Sequence, residues 1–193
     1  MIAEIGWFSP TRMTGLFAYS GSLAACLWRW SVLRRRGGGR RGAANGVFSL
    51  LAAVQMALVL DIALDLRWKL HAFFMDEATA LGVYGERRGP QLAVLLLMGG
   101  VSIFGLVRIA RRFGGRQGVA VALTGTMFSV GLWCCEMLSY HYTDAVLFHM
   151  VGKVMLVSLL WLAFAATTCV GIWMDRASRS GSVLERISER RRF

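Results

Sequence analysis

The feature that most constrains this chain is a series of long apolar segments that end in polar or basic residues. A helix needs about 20 mostly apolar residues to cross the hydrocarbon core of a bilayer. Hydrophobic residues make up 56% of the 193-residue chain, a share too high for a soluble domain of this size. The sequence therefore predicts an all-α integral membrane protein with five transmembrane helices, at roughly 13–33, 44–68, 91–110, 117–139 and 146–173.

The basic residues predict the orientation of these helices. The net charge is +11, but 20 of the 22 basic residues are Arg, mostly at the ends of apolar segments, so nucleic acid is not an expected partner. Sixteen of them lie in the 34–42 turn with Arg29, in the 108–116 turn and after Asp175, against six on the opposite side. Because cytoplasmic loops are enriched in Lys and Arg, we expect the N-terminus outside and the C-terminus in the cytoplasm.

The chain is expected to form one membrane domain over residues 1–175, followed by a basic cytoplasmic tail over 176–193. The first apolar segment ends in an Arg run without a small-residue cleavage site, so it is interpreted as a retained helix. The long outer connection, 70–90, is expected to include a helix on the membrane surface. In the tail, Ser182-Val-Leu-Glu185 has a capping-box pattern, which indicates either a short interfacial helix or a charged extension.

Acidic residues mark the outer end of the second apolar segment. Asp61 and Asp65 are four residues apart and so share one face of a helix, and Asp65 has Lys69 within pairing distance in the sequence. Asp61 lies one turn deeper among apolar neighbours, so it is expected to face the bundle interior or a water-filled cavity. Glu136 lies at a similar depth in the fourth segment.

A second polar group, Ser139-Tyr-His141-Tyr-Thr-Asp144, follows Glu136. Imidazole and carboxylate ligands suit zinc, iron or manganese, so His141, Asp144, Glu136 and His71 are candidate ligands of a divalent metal. Three alternatives remain open. The histidines are structural, or His71 and another outer histidine bind haem, or Ser139 and His141 form a dyad, which requires a broken helix.

Arg87 and Arg88 lie on the outer side, against the positive-inside trend. Their expected partners are the outer carboxylates, a lipid phosphate or another anionic ligand, although a solvated turn explains them as well. With Asp61, Asp65 and Ser139, they are the candidate ligand-binding residues.

Three spaced motifs resemble a family of small uncharacterised bacterial inner-membrane proteins. They are Leu64-Asp65-Leu66, Gly82-x-Tyr84-x-x-Arg87-Arg88-x-x-Gln91 and Ser139-x-His141-x-x-Asp144, within residues 55–150. The resemblance implies a polytopic membrane fold with polar residues on the outer side, and no activity. The chain departs from the family pattern at Asp61, where an Asn is expected, and after residue 150. The chain also shows a weaker likeness to zinc-dependent membrane hydrolases. The absence of a His-x-x-x-His motif from its last apolar segment counts against that likeness.

The sequence leads to three functional hypotheses. The first is a binding or accessory protein of the bacterial cytoplasmic membrane whose outward-facing pocket holds a cation, a proton or a lipid headgroup. The second is a metal-dependent hydrolase that acts on a lipid or a periplasmic substrate. The third is a structural subunit of a larger membrane complex, in which the polar groups tie helices together. The expected partners are therefore the lipid bilayer, an anionic lipid or small ligand, and another membrane protein.

Overall fold

The computed structural model describes residues 9–35, 42–82, 88–138 and 140–190, and it leaves the side chains of 42–45, 78, 88, 141 and 178–190 undescribed. The described chain is almost entirely helical. Its elements are α1 (Pro10–Arg35), α2 (Gly42–Leu64), α3 (Leu66–Ala80), α4 (Arg88–Phe113), α5 (Gln117–Leu138), α6 (His141–Leu147), β1 (Met150–Val151), β2 (Val154–Met155) and α7 (Leu156–Arg190). The prediction of an all-α chain is therefore confirmed.

Four of the described helices are long and apolar enough to cross a membrane. They contain stretches with a mean hydropathy between 1.6 and 2.3, at Gly46–Leu64, Gly89–Phe113, Gln117–Leu138 and Leu156–Ala177. The 26 residues of α1 are long enough for a span, but this helix carries Arg12 and Arg29, which reduce its hydropathy. Neither arginine is exposed, because α2 and α7 cover α1.

Helices α1, α2, α5 and α7 form a four-helix bundle. Buried residues recur along each helix at alternating spacings of about three and four, the pattern of helices that pack along a common seam. The main positions are Gly15, Tyr19, Ser22, Cys26 and Arg29 in α1; Phe48, Leu51, Gln55, Leu58 and Ile62 in α2; Gly118, Ala122, Gly125, Ser129, Leu132 and Glu136 in α5; Trp161, Ala165, Thr168, Ile172 and Asp175 in α7.

Small residues allow α5 and α7 to approach closely. A Cβ at Gly125 would lie 2.7 Å from the backbone nitrogen of Thr168, and one at Gly118 or Gly171 would meet the facing backbone even more closely. The third glycine of α5, Gly131, has open space at this position. The seam between α5 and α7 therefore depends on the absence of side chains at particular positions.

A polar layer crosses the middle of the bundle between two apolar clusters. Ser22 donates a hydrogen bond to Gln55 Oε1 (2.7 Å), Gln55 Nε2 donates to Thr126 (3.2 Å), and the hydroxyls of Thr126 and Thr168 are 3.3 Å apart. These four residues come from α1, α2, α5 and α7. Since a buried polar group needs a partner, the layer aligns the four helices with one another.

A buried ion pair closes the end of the bundle opposite Asp61. Arg29 Nε donates to Asp175 Oδ2 over 3.0 Å, and both side chains are at least nine-tenths buried. Arg116 approaches the other carboxylate oxygen at 3.5 Å. Because Arg29 and Asp175 are 146 residues apart, this pair joins the first helix to the last.

Several predicted boundaries differ from the structure. The fifth apolar segment was expected to begin at 146, but α6 and the two-stranded hairpin occupy residues 141–155, so the long helix begins at Leu156. The second segment was expected to run to 68, but Asp65 adopts a left-handed conformation (φ 53°) that separates α2 from α3. Helix α7 continues without interruption past Ser182, where the sequence indicates either a short interfacial helix or a charged extension.

Candidate functional site

The candidate site is a buried cluster at the end of the bundle where α2, α3, α5 and α7 meet. Arg67, in the first turn of α3, lies at its centre. Its Nε donates to Asp61 Oδ2 (2.6 Å), and its Nη1 donates to Glu136 Oε2. Trp161 completes the cluster, because its indole Nε1 donates to Glu136 Oε1 (2.9 Å) and its ring lies 4.9 Å from the Arg67 guanidinium carbon.

The break at Asp65 is what brings Arg67 to this position. Asp61 and Arg67 are six residues apart. In an uninterrupted helix, which turns about 100° per residue, their side chains would point in directions about 120° apart. The left-handed residue redirects the chain, so α3 begins with Arg67 turned back towards Asp61. The prediction that Asp61 faces the bundle interior is confirmed, since only 4% of this residue is exposed.

The cluster contains more acid than base. Asp61 and Glu136 share the single guanidinium of Arg67, so when both acids are ionised one negative charge has no counterpart within the trio. Glu136 has a donor at each oxygen, whereas Asp61 Oδ1 is buried and has no hydrogen-bond partner in the described part of the chain. A buried acceptor in this state is costly to leave unsatisfied, which makes Asp61 Oδ1 the open acceptor among the carboxylate oxygens of the site.

Arg67 keeps its charge in this environment. Burial alone lowers the pKa of a guanidinium, but the charges of Glu136 and Asp61 and the hydrogen bonds they accept outweigh it and raise the pKa of Arg67 above its ordinary value. Arg67 belongs to α3, beyond the end of the apolar stretch of α2. The guanidinium is therefore a permanent cation between the two carboxylates.

A second ion pair lies beside the cluster. Arg12 Nη1 donates to Asp65 Oδ2 (2.8 Å), and Arg12 Nη2 donates to the Ala63 carbonyl (2.7 Å). Asp65 therefore pairs with an arginine of α1 and not with Lys69, the partner that its spacing in the sequence allows. This contact anchors the α2–α3 junction to the beginning of α1.

Two further residues from the predicted polar motifs, His71 and Gln91, contact the end of α5. His71 Nδ1 lies 3.4 Å from the Met137 carbonyl, and Gln91 Nε2 donates to the Leu138 carbonyl (2.8 Å). Helix α5 ends at Leu138 and α6 begins at His141, so the helix is broken as a Ser139–His141 dyad would require. The backbone therefore brings α3, the start of α4 and the start of α6 to one end of the bundle.

Several predicted site residues cannot be placed in full. Ser139 and Arg87 lie outside the described residues, and only the backbone is described for His141 and Arg88, which begin α6 and α4. Asp144 is half-buried in α6. Among the residues whose side chains are described, no group of three or more His, Cys, Asp or Glu could hold a metal ion, so the four predicted metal ligands remain a hypothesis.

Arg67, Trp161 and Arg12 were not identified from the sequence as site residues. The sequence does distinguish two of them. Arg12 and Arg67 lie on the predicted outer side, against the positive-inside trend, as Arg87 and Arg88 do. Trp161 carries no such signal, since a tryptophan inside an apolar segment is ordinary. Its contact with Glu136 depends on how α5 and α7 pack.

No family model, curated protein or solved structure matches this chain at a significant level. The family resemblance suggested by the three motifs therefore stays a prediction.

Proposed function

We propose that this chain is a multi-pass protein of a bacterial cytoplasmic membrane that acts as a binding or accessory protein, and that the ligand of its buried cluster is a proton. In this proposal α1, α2, α4, α5 and α7 cross the bilayer, with the N-terminus outside and the C-terminus in the cytoplasm. The Asp61–Arg67–Glu136 cluster then faces the outer side. The excess of Arg in the opposite turns supports this orientation.

The observation that carries the proposal is the charge of the cluster. Two buried carboxylates share one guanidinium, and Asp61 Oδ1 has no partner among the described residues. A net charge is expensive in or near hydrocarbon. Uptake of one proton, shared between the two carboxylates, makes the trio neutral without any change in its packing.

A proton fits this site better than a metal ion. Zinc in proteins takes about three or four protein ligands, and calcium takes about six to eight oxygens. Glu136 already has a donor at each oxygen, and Asp61 contributes a single open oxygen. The metal-dependent hydrolase predicted as an alternative has no observation among the described side chains in its favour.

Infrared spectroscopy of the detergent-purified protein tests this proposal. Ordinary Asp and Glu are ionised at pH 7, since their reference pKa values are about 4. We therefore expect the wild-type protein at pH 7 to show the C=O stretch of one neutral carboxyl group, and Asp61→Asn and Glu136→Gln each to lose it. Asp76→Asn, at an exposed position of α3, is the matched control and should keep the band.

An absent band at pH 7 would refute proton binding. Elemental analysis of protein that has never met a chelator or a nickel column would then decide between two remaining roles. Near-stoichiometric metal that is lost in Asp61→Asn would favour a cation site. No metal in either protein would favour a structural subunit whose buried polar groups tie its helices together.

A further inference from the structure

Helix α3 presents two different sides. Arg67 enters the buried cluster, the Trp68 ring lies 5.6 Å from that of Phe148, and His71 meets the end of α5. These contacts fix one side of α3 against the bundle. The remainder of the helix carries large apolar side chains that are exposed in the described structure, including Leu66, Leu70 and Phe73.

These three residues line an open groove. Leu66, Leu70 and Phe73 follow one another at spacings of four and three, so they form one stripe along α3. With Lys69 they line a shallow, widely open groove of about 440 Å³, whose lining is apolar apart from the lysine. Phe73 is 55% exposed, so the groove opens outwards from the bundle.

The charge of Lys69 is not balanced within the described structure. Asp65, four residues earlier and the expected partner, is paired with Arg12. No described carboxylate lies within ion-pair distance of the Lys69 ammonium, and the side chain is exposed. The groove thus combines apolar walls with one available cation.

The position of the groove indicates its occupant. It begins two residues after Leu64, where the apolar stretch of α2 ends, and α3 contacts the end of the α5 stretch through His71. With α2 and α5 crossing the bilayer as proposed above, this is the level at which hydrocarbon gives way to headgroups. Lysines at this level place their stems along apolar surface and their ammonium groups among the headgroups.

We propose that this groove binds a phospholipid of the surrounding bilayer, with an acyl chain against Leu66, Leu70 and Phe73 and the phosphate on Lys69. An amphiphile with an anionic head supplies both the apolar contact and the missing countercharge. The site uses none of the residues of the buried cluster. A negative result for proton binding would therefore leave the lipid site untouched, and the reverse also holds.

The lysine content of the chain permits a direct test. Lys69 and Lys153 are its only lysines, so reductive methylation with ¹³C-formaldehyde labels these two side chains and the α-amino group, and Lys69→Arg and Lys153→Arg assign the signals. The labelled protein in dodecyl maltoside is titrated with dihexanoyl phosphatidylglycerol. Parallel titrations use hexyl glucoside, which has no phosphate, and inorganic phosphate, which has no acyl chain.

We expect the phospholipid to shift the Lys69 resonance and to leave that of Lys153 in place, with neither control compound reproducing the shift. Phe73→Ala should weaken the apparent affinity severalfold by removing a wall of the groove. In unlabelled protein, Lys69→Ala should weaken binding of the same lipid about fivefold, whereas Lys153→Ala, the matched control, should not. An unmoved Lys69 resonance, equal shifts at both lysines, or a full shift with inorganic phosphate would each overturn the proposal.

Discussion

Arg67 shows how one residue organises the end of the bundle that contains Asp61. It satisfies one oxygen each of Asp61 and Glu136 while lying against the Trp161 ring, so a single side chain joins α2, α3, α5 and α7. The geometry suits arginine better than lysine, because a planar guanidinium presents several N–H groups in fixed directions whereas an ammonium is a point charge. Arg67 is also the main polar attachment of α3.

Removal of Arg67 should be far more damaging than removal of an exposed arginine. Arg67→Met removes the guanidinium that the two buried acids share and leaves a buried negative charge without a countercharge, so we expect the free energy of unfolding to fall by about 3–5 kcal/mol. Arg111→Met, at an exposed position near the end of α4, should change it by less than about 0.5 kcal/mol. Denaturant unfolding of the purified proteins in mixed micelles measures both.

A compensated variant shows whether charge is the cause. Arg67→Met combined with Asp61→Asn and Glu136→Gln removes the guanidinium and both carboxylates together, so it should recover part of the lost stability. If the triple variant were as unstable as Arg67→Met, lost packing against Trp161 would be responsible and the charge argument would be wrong.

At the scale of elements, the packing of α5 against α7 depends on which glycines face the neighbouring helix. Gly118 and Gly125 lie on the seam, where the α7 backbone occupies the space of a side chain. Gly99, Gly100 and Gly131 have nothing within 4 Å of that position. The sequence predicts close packing at glycines in general, but only the tertiary structure separates these two groups.

Two substitutions on the same helix make this difference measurable. Gly125→Ala forces a methyl group against the backbone of Thr168, so we expect a loss of about 1–3 kcal/mol. Gly131→Ala meets open space and gains helix propensity, so its effect should be neutral or stabilising by up to about 1 kcal/mol. Thermal unfolding in detergent should show a lower Tm for the first variant alone, and equal Tm values would contradict the seam.

At the scale of the whole molecule, α1 decides the topology. It is the least apolar of the long helices, yet three of its polar side chains contact other helices: Arg12 meets Asp65, Ser22 meets Gln55, and Arg29 meets Asp175. A polar residue inside a bundle is shielded from lipid, so a helix surrounded by others tolerates lower hydropathy. These contacts agree with the proposal that α1 is a fifth span.

The two ends of the chain should therefore lie on opposite sides of the membrane. We expect a fluorescent-protein fusion at the C-terminus to fluoresce and an alkaline phosphatase fusion there to be inactive, as for a cytoplasmic position. In a variant whose native cysteines have been replaced, a single cysteine at Ala3 should react with an impermeant maleimide in intact cells. Both ends on one side would mean that α1 does not cross.

The sequence by itself determined the all-α class, the four most apolar helices and the acidic residues at one end of the bundle. Each of these follows from local properties: apolar length, basic runs and the depth of a carboxylate within a segment. The expectation that Asp61 and Glu136 lie at one depth agrees with their shared contact to Arg67. Depth follows from counting residues along neighbouring helices, which needs no knowledge of their packing.

Only the tertiary structure decided which groups satisfy those acids. The turn at Asp65 depends on Arg12, 53 residues away, and the Glu136 carboxylate depends on Trp161 and on Arg67, 69 residues away. Such partners are chosen by the rotation of each helix about its axis and by the path of the chain between helices, which hydropathy does not encode. The charge left over in the buried cluster, and with it the proposed proton site, emerges from that packing.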